Sequence, residues 1–340
     1  MSKIVQAIVN AKIILKSKIV EEKILLFDTK IIGIVEKIPL GAKIIDAKGC
    51  YVSAGFIDLH IHGSGGVDVM DASFEALNTL SKTILQTGTT SFLATTMTMS
   101  PALIDKALLN VQQNYQKVEG ASILGVHLEG PFLNTNKHGA QDKEYIQKPN
   151  FDLIENYMNE IKMITIAPEV ETSESFIKTI KQYYPHIILS IGHSDATYEE
   201  AKESFKWGIS HATHLFNAMN GFHHREPHIV GAVFDSAEVS CDIIADLVHT
   251  HPYTLELTHK MKKEQLILVT DAMRAGCMKN GRYDLGGREV EVIGEKAMLK
   301  DGTLAGSVLT MNKAIKNMLK YTSMNLCDVI KVSPFYLQKS

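Results

Sequence analysis

Hydrophobic and polar positions follow one pattern before residue 50 and another pattern after it. In the first part, short strand-like runs mix β-branched residues with lysine and glutamate, and turns are marked at Asp28-Thr29 and Gly41. The runs cover residues 4–8, 12–15, 23–27 and 31–35. We predict that residues 1–50 form a small β domain, which precedes the main body of the chain.

From Tyr51 onward, apolar strand-like runs alternate with amphipathic helical stretches. The eight runs cover residues 51–59, 89–94, 122–128, 163–167, 187–191, 211–215, 239–245 and 266–269. Helical patterns cover residues 73–86, 101–118, 152–160, 174–183, 197–207 and 252–262, and residues 217–229 are typical of a long loop. After the eighth run we expect a glycine-punctuated β excursion over residues 281–303, followed by helices over 310–321 and 326–332.

This alternation indicates an α/β fold. Apolar strands separated by helices are typical of a parallel sheet that is covered on both faces. Eight such units predict a (β/α)8 TIM-like barrel over residues 51–340. An open doubly wound sheet is the alternative, although the G-x-G-x-x-G turn of its dinucleotide-binding form is absent after the first run.

Composition narrows the class of protein. Hydrophobic residues make up 45% of the 340 residues and charged residues 21%, which allows a sizeable folded core. The net charge of −3, with both signs mixed along the chain, argues against a nucleic-acid partner. The N-terminus lacks a signal-peptide layout, no apolar run is long enough to cross a bilayer, and the four cysteines are scattered. We therefore predict a soluble cytoplasmic protein with no membrane partner.

The first barrel run ends in His60-Ile61-His62. Successive side chains of a strand point to opposite faces, so His60 and His62 share one face. Two imidazoles at the point where a strand opens into a glycine-containing loop can bind a divalent metal. Two polar residues at a strand end explain this stretch equally well when it is considered by itself.

Later runs place similar chemistry at the same end of the barrel, where the active sites of TIM barrels lie. Glu129, His193 and His214 come from the third, fifth and sixth runs. One carboxylate and two imidazoles suit catalytic Zn²⁺ or a similar metal and leave a position open for water. His60 and His62 could hold a second metal ion, with Glu129 bridging the two ions.

Asp271 follows the eighth run and could take a proton from such a water and pass it to a leaving group. Structural explanations exist too, because Glu129 could cap a turn and Asp271 could be a helix N-cap. The convergence of several strand ends favours the metal site. His127 shares a face with Glu129 and stays an alternative ligand, whereas His211 should face away from His214 in a regular strand.

A second, basic group of residues follows the sixth and seventh runs. Asn217-Ala218 comes directly after the sixth run, His223-His224-Arg225 lies in the loop beyond it, and His249 follows the seventh run. Arginine and histidine at a barrel mouth are typical of a phosphate site. A solvated basic loop is the alternative.

Eight stretches, in order and over most of the chain, resemble the N-acetylglucosamine-6-phosphate deacetylase family of the amidohydrolase superfamily. They are GFIDLHIHG (55–63), GVHLEGPF (125–132), KHGAQ (137–141), IGHSDA (191–196), THLFNAM (213–219), HHREP (223–227), LVTDAM (268–273) and GTLAGS (302–307). Each stretch is a weak signal by itself, and the combination is highly specific.

The resemblance implies hydrolysis of N-acetylglucosamine 6-phosphate to glucosamine 6-phosphate and acetate, in amino-sugar catabolism. It implies one or two divalent metal ions per subunit, zinc or iron, with the principal ion bound by Glu129, His193 and His214. The His60-Ile61-His62 pair is similar to that of members that can hold two ions. Asp271 is implied to act as general base and then as general acid.

The same resemblance implies a set of substrate contacts. These are Ala140, Gln141, Asn217, Ala218, Arg225, His249, Leu304, Ala305 and Gly306. It also implies a homodimer, in which Arg225 serves the phosphate of the neighbouring subunit.

The chain departs from the family's pattern at its end. Family members continue beyond Ser333-Pro334 into strands that complete the small β domain, whereas here only residues 335–340 follow. The resemblance therefore implies a β domain that lacks its C-terminal strands and has an unpaired edge. An inactive or weakly active truncated sugar-phosphate-binding homologue is the alternative function, and hydrolysis of a different amide is the alternative within the superfamily.

Overall fold

Eight parallel strands, hydrogen-bonded to one another in chain order, form the centre of the molecule. We describe this architecture from a computed structural model, and the description extends over residues 4–333 of the chain. The strands are β1 (Phe56–Ile61), β2 (Thr89–Thr95), β3 (Ser122–Glu129), β4 (Ile161–Ile166), β5 (Ile188–Ile191), β6 (His211–Ala212), β7 (Ser240–Ile244) and β8 (Leu266–Val269). They are buried almost throughout, as the apolar runs predict.

The first and last strands meet at a seam that lies beside the candidate site residues. The N–H of Asp271, just beyond β8, donates to the carbonyl oxygen of His60 over 2.8 Å. The N–H of His62 donates to the carbonyl oxygen of Ala272 over 2.9 Å, and Ile61 pairs with Ala272 in a parallel bridge. These bonds bring β1 and β8 together, so the predicted (β/α)8 barrel is confirmed.

Helices cover the outside of the barrel. They are α1 (Phe74–Leu85), α2 (Pro101–Asn114), α3 (Ser173–Tyr183), α4 (Tyr198–Trp207), α5 (His228–Phe234), α6 (Pro252–Lys262), α7 (Met311–Tyr321) and α8 (Leu326–Lys331). Single 3-10 turns occur at Val69–Asp71, Thr135–Lys137, Lys143–Tyr145, Glu155–Tyr157 and Lys263–Gln265. Each helix presents an apolar face to the strands, which joins helices and barrel in one hydrophobic core.

One predicted helix, over residues 152–160, is wrong. The structure has only the 3-10 turn Glu155–Tyr157 there, flanked by bonds from Tyr157 N to the carbonyl oxygen of Ile154 (2.9 Å) and from Glu160 N to that of Tyr157 (3.0 Å). A spacing of three residues places Ile154 and Tyr157 on the same side, and both are buried. Contacts of these side chains with the core therefore replace regular helical bonding.

The N-terminal part of the chain forms two small sheets. One contains Ile31–Val35, Ile24–Phe27, Gln6–Val9 and Lys43–Asp46, in that order, and the other contains Ile19–Val20, Lys12–Ile14 and Tyr51–Val52. The division of the chain into domains at residue 50 stays a prediction. The proposed lack of further strands concerns residues after Ser333, which lie outside the described residues.

The predicted strand over residues 51–59 is divided in the structure. Tyr51–Val52 pairs with Lys12–Ile14 in the N-terminal part, and β1 begins only at Phe56. The chain passes very close to β2 between these two segments, because a Cβ on Gly55 would lie 2.1 Å from Cγ2 of Thr90. Glycine allows this close approach of the backbone, and the approach interrupts the apolar run.

The predicted β excursion after β8 is confirmed. Three antiparallel strands, Gly281–Leu285, Arg288–Ile293 and Lys296–Met298, form a small sheet. A further two-stranded pair, Gly63–Ser64 with Val67–Asp68, follows β1. Among residues 4–333, no helix is long and apolar enough to cross a membrane.

Candidate active site

The structure places the five candidate metal ligands together at the carboxyl ends of four barrel strands. His60 lies in β1 and His62 follows it, Glu129 is the last residue of β3, and His193 and His214 follow β5 and β6. Each of these residues has at most 5% of its surface exposed. A carboxylate and several imidazoles buried together need a compensating partner, and a divalent cation supplies one.

The carboxylate of Glu129 lies at the centre of this group. Its Oε1 lies 3.0 Å from Nε2 of His214, 3.2 Å from Nε2 of His193 and 3.4 Å from Nε2 of His60. Its Oε2 lies 3.1 Å from Nε2 of His62. Burial raises the pKa of Glu129, but His60, His193 and His214 outweigh burial and hold the pKa well below its usual value. Glu129 is therefore an ionised carboxylate that faces four imidazoles.

Asp271 completes the group from the other side of the barrel seam. Its Oδ1 lies 3.3 Å from Nε2 of His62 and 3.4 Å from Nε2 of His60. Burial raises the pKa of Asp271, whereas the two imidazoles lower it, and the result is a pKa of about 2. At neutral pH this side chain is a proton acceptor within reach of the ligand group.

Backbone contacts fix the orientation of two of the imidazole rings. Nδ1 of His193 lies 2.9 Å from the carbonyl oxygen of Lys137, and Nδ1 of His62 lies 3.3 Å from that of Thr95. A carbonyl oxygen can only accept a hydrogen bond, so Nδ1 carries a proton in each ring, and a neutral ring would offer its lone pair from Nε2, the nitrogen that faces Glu129. This is the tautomer that a metal ligand needs.

The residues present fit a divalent metal. The ligand atoms of His60, Glu129 and His214 all lie within 4.8 Å of one another, and so do those of His60, His62 and Asp271. Nδ1 of His60 and Nδ1 of His214 are buried and have no hydrogen-bond partner among residues 4–333. Imidazole nitrogens and carboxylate oxygens around one point are the ligands that zinc and iron prefer.

His214 is directed to the site by an early end of β6, which is shorter than the predicted strand over residues 211–215. The N–H of His214 donates to Oδ1 of Asp242 from β7, and the backbone turns there, with a φ of +32°. Nε2 of His211 lies 2.9 Å from Oδ2 of the same Asp242, and Nδ1 of His211 lies 2.7 Å from Oγ of Ser240. His211 thus contacts β7, whereas His214 contacts Glu129.

His127, which the sequence left open as a ligand, has other contacts in the structure. Its Nδ1 lies 3.0 Å from the carbonyl oxygen of Leu59, and its Nε2 lies 2.7 Å from Oγ1 of Thr165. Burial lowers the pKa of His127 to about 3, so the ring is neutral. Both ring nitrogens are therefore occupied by contacts within the barrel.

Gln141 contacts the metal-ligand candidate Glu129 directly, although the resemblance implied only a substrate contact for Gln141. Its side chain is buried and donates from Nε2 to Oε2 of Glu129 over 2.7 Å. Its Oε1 accepts the N–H of Thr98 over 2.7 Å. The amide thus connects the loop after β2 to Glu129 and holds the carboxylate in place.

Glu169 has a supporting position that sequence reasoning missed. It follows β4 and accepts hydrogen bonds from Nδ2 of Asn134 (2.8 Å), Oγ of Ser194 (2.7 Å) and the N–H of Asp195 (2.6 Å). The N–H of Asn134 in turn donates to the carbonyl oxygen of His193 over 2.9 Å. Glu169 therefore fixes the segment that carries His193. Its place directly after Pro168, at a strand end, was the available signal.

A cavity of about 230 Å³ borders the ligand group. Its lining includes His62, Glu129, His193, His214 and Asp271. Seven of the substrate-contact candidates also line it, namely Ala140, Gln141, Asn217, Ala218, His249, Leu304 and Gly306. Met97, Gly139, Leu285 and Thr303 complete the wall. Most of the residues selected from the sequence therefore surround one space.

Two candidates lie away from this cavity. Ala305 is fully buried, and its N–H donates to the carbonyl oxygen of Ala297 in the β excursion over 3.0 Å. Arg225 is exposed in the loop before α5, and its Nη1 lies 2.8 Å from Nε2 of His224. Within a single chain, Arg225 does not line the cavity.

His249 is fixed at the cavity by Asp246, another residue that sequence reasoning missed. Nδ1 of His249 lies 2.7 Å from Oδ2 of Asp246, and Oδ1 of Asp246 accepts the N–H groups of Val248 and His249, both over 2.8 Å. Both side chains of the pair are at least nine-tenths buried. This contact fixes the ring orientation and leaves Nε2 free to contact a ligand.

Comparison with known proteins identifies the family. Residues 51–333, and so every residue of the ligand group, match the model of the Amidohydrolase family. The chain belongs to the amidohydrolase family. The resemblance inferred from the sequence motifs is therefore confirmed, and this amidohydrolase is an enzyme of the hydrolase class.

Relatives of known function cover most of this amidohydrolase. It is 40% identical over 315 residues to N-acetylglucosamine-6-phosphate deacetylase of Lysinibacillus sphaericus, with 91% of this chain and 81% of the relative covered. It is 34% identical over 311 residues to N-acetylgalactosamine-6-phosphate deacetylase of Escherichia coli O157:H7, with 90% and 81% covered. The crystal structure of N-acetylglucosamine-6-phosphate deacetylase from Pasteurella multocida superposes with a TM-score of 0.90 at 33% identity, with 96% of this chain and 86% of that one covered.

Proposed function

We propose that the chain is a metal-dependent hydrolase that removes the acetyl group from N-acetyl-D-glucosamine 6-phosphate. The products are D-glucosamine 6-phosphate and acetate, and the reaction belongs to amino-sugar catabolism. The position of Asp271 carries this proposal, because its carboxylate lies within 3.4 Å of two metal-ligand candidates and also lines the cavity. The relative from Lysinibacillus sphaericus, with its 40% identity, supports the choice of substrate.

The proposed principal metal ligands are Glu129, His193 and His214, whose contacting atoms meet at Oε1 of Glu129. His60 and His62 would hold a second ion, with Glu129 bridging. We propose zinc or iron, with one or two ions per subunit, on the chemistry of this donor set. When bound, such an ion supplies a Lewis acid that polarises the amide carbonyl and lowers the pKa of water.

Asp271 would act first as general base and then as general acid. Its Oδ1 takes a proton from the water whose oxygen attacks the amide carbon and forms the new C–O bond. The C–N bond then breaks, and Asp271 returns the proton to the departing nitrogen. The nitrogen leaves as the amine of glucosamine 6-phosphate, and the acyl carbon leaves as acetate.

Most of the proposed substrate contacts line the remaining wall of the cavity, whereas Ala305 and Arg225 do not line it within a single chain. The proposed contact residues are Ala140, Gln141, Asn217, Ala218, Arg225, His249, Leu304, Ala305 and Gly306. His249 is well placed for the phosphate, because its ring is fixed by Asp246. Arg225, exposed on one chain, would reach the phosphate of the neighbouring subunit in a homodimer. We also propose a cytoplasmic location, which fits the scattered cysteines and a phosphorylated substrate.

Acetate release by purified, metal-analysed protein tests this proposal. N-acetylglucosamine 6-phosphate is compared with unphosphorylated N-acetylglucosamine, and the chain is compared with its Asp271→Asn variant. We expect release from the phosphorylated sugar that disappears in the variant. A folded, metal-loaded chain that releases no acetate would contradict the proposal and favour the non-catalytic sugar-phosphate-binding alternative.

A second candidate substrate is N-acetylgalactosamine 6-phosphate, on which the Escherichia coli relative acts by its name. The two sugars differ only in the configuration of one ring hydroxyl, so the same ligand group can serve both. The ratio of kcat/KM for the two phosphates, measured in the same assay, decides which sugar the chain prefers. A ratio in favour of the galactosamine compound would replace our first choice.

A further inference from the structure

Part of the cavity wall is apolar, and neither of the two main residues of that part, Met97 and Leu285, has a role so far. Met97 follows β2, and Leu285 ends the first strand of the β excursion. Both line the cavity, and each is only 2% exposed. They belong to one hydrophobic cluster, which joins the β excursion to the barrel and also contains Val290 and Ala297.

This apolar wall lies close to the carboxylate of Glu129. Sδ of Met97 lies 3.7 Å from Nε2 of Gln141, and the same nitrogen donates to Oε2 of Glu129 over 2.7 Å. The β excursion also packs against Met97, because a Cβ on Gly286 would lie 3.4 Å from Cε of Met97. Met97 therefore contacts both Gln141, which holds Glu129, and the β excursion.

The chemistry of an N-acyl amino sugar determines how it can lie in such a cavity. The amide carbon must approach Glu129 and Asp271, and it carries the nitrogen of the sugar on one side and the acyl chain on the other. The sugar phosphate needs polar partners, which Asn217 and His249 offer. The acyl methyl group is apolar and gains from contact with Met97 and Leu285.

We propose that Met97 and Leu285 form the acyl-binding wall and restrict the enzyme to short acyl groups, acetyl above all. The inference rests on the proposed function, since it assigns the acyl end of the same substrate. The wall is part of a packed cluster, so a longer acyl chain must displace buried side chains. One methylene in a hydrophobic pocket changes kcat/KM by roughly 10- to 200-fold.

The test compares kcat/KM for the N-acetyl, N-propionyl and N-butyryl forms of glucosamine 6-phosphate. In the unmodified chain we expect kcat/KM to fall by about tenfold or more from acetyl to propionyl. Met97→Ala and Leu285→Ala should each narrow that ratio by roughly tenfold, because each opens space at the acyl end. Met97→Leu keeps the volume and should keep the selectivity.

Val290→Ala is the matched control. Val290 is fully buried in the same cluster but does not line the cavity, so its truncation loosens the β excursion without enlarging the acyl wall. We expect the acetyl-to-propionyl ratio to stay unchanged in this variant. An equal narrowing in Val290→Ala, or no narrowing in either wall variant, would overturn the inference.

Two failures are distinguishable in this experiment. If the unmodified chain does not hydrolyse the N-acetyl compound, the proposed function itself fails, and the acyl wall fails with it. If the chain hydrolyses the N-acetyl and N-propionyl compounds equally well, only the acyl wall is wrong.

Discussion

The floor of the cavity and its rim are built in different ways. We define the floor as His60, His62, Glu129, His193, His214 and Asp271, and the rim as Asn217, Ala218 and His249. Floor residues lie in strands or within three residues of a strand end, and none is more than 8% exposed. Rim residues lie in loops, where Asn217 and Ala218 are half-buried and the side chain of His249 is 7% exposed.

This difference indicates separate roles for the floor and the rim. Each floor side chain meets other floor side chains at distances of 3.0–3.4 Å, so the chemistry is organised before a substrate arrives. The rim offers single groups that a substrate can engage. His249 is held by the buried Asp246, and Nδ2 of Asn217 donates to the carbonyl oxygens of His214 and Leu215 over 3.3 and 3.4 Å. Changes in the floor should therefore alter metal binding and kcat, whereas changes in the rim should alter KM.

The largest effect is expected for Glu129→Gln. The variant removes the charge that faces four imidazoles. Removing one partner of a buried charge pair costs about 3–5 kcal/mol, which corresponds to a loss of roughly 10²- to 10⁴-fold in metal affinity. Metal content after dialysis should fall and turnover should fall with it, as measured by elemental analysis beside acetate release. His259→Asn, which removes an imidazole on α6, is the control. Full metal content in Glu129→Gln would show that Glu129 is not a ligand.

The next effect is expected for Glu169→Gln. An amide has only one accepting oxygen, so it cannot satisfy all of the donors on Asn134, Ser194 and Asp195. The segment that carries His193 should loosen, and metal affinity should fall by roughly 10- to 100-fold, the usual effect of losing a residue that supports a ligand.

Metal titration of the apo protein measures this affinity. Glu171→Gln is the matched control, because Glu171 lies two residues further on, is exposed, and pairs with Lys148 at the surface. Equal metal affinities in the two variants would show that Glu169 does not support metal binding by His193.

A change in the rim, His249→Asn, should separate KM from kcat. Loss of a hydrogen bond to a charged group costs about 1.5–3 kcal/mol, which corresponds to a rise in KM of roughly 10- to 100-fold for the phosphorylated sugar. kcat, and kcat/KM for the unphosphorylated sugar, should change little. His251→Asn, in the same loop but exposed, is the control. A fall in kcat with an unchanged KM would place His249 in the floor instead.

Periodicity was sufficient to predict the barrel and to select the site residues at its strand ends, whereas Ala140, Gln141, Leu304 and Gly306 were selected from the family resemblance. Strands of a parallel barrel all end at the same mouth, so a histidine or carboxylate at several strand ends indicates one common site. His60, Glu129 and Asp271 were found in this way, and the structure places Nε2 of His60 3.4 Å from a carboxylate oxygen of each of the other two.

Contacts between distant segments explain what the sequence did not reveal. β6 ends early because Asp242, 28 residues away along the chain, accepts the N–H of His214. Glu169 was missed because its three donors come from two other loops. The helix over residues 152–160 was predicted from a pattern that a 3-10 turn, with Ile154 and Tyr157 facing the core, satisfies as well.

The smallest effect concerns the backbone at Leu247, in the loop between Asp246 and the rim residue His249. Leu247 has a φ of +68°, and a side chain in this left-handed conformation costs about 1–2 kcal/mol. Elsewhere glycine is less stable than alanine, by roughly 0.5–1 kcal/mol in regular structure. At this position the order should be reversed: Leu247→Gly should have a free energy of unfolding about 1 kcal/mol higher than Leu247→Ala.

Comparing these two variants by urea unfolding isolates the backbone strain, because both lose the apolar contacts that Leu247 makes with the main core. KM for the phosphorylated sugar should stay unchanged in Leu247→Ala, which keeps the left-handed strain but preserves the Asp246–His249 contact. If Leu247→Gly is the less stable of the two, the rim backbone carries no strain at this residue.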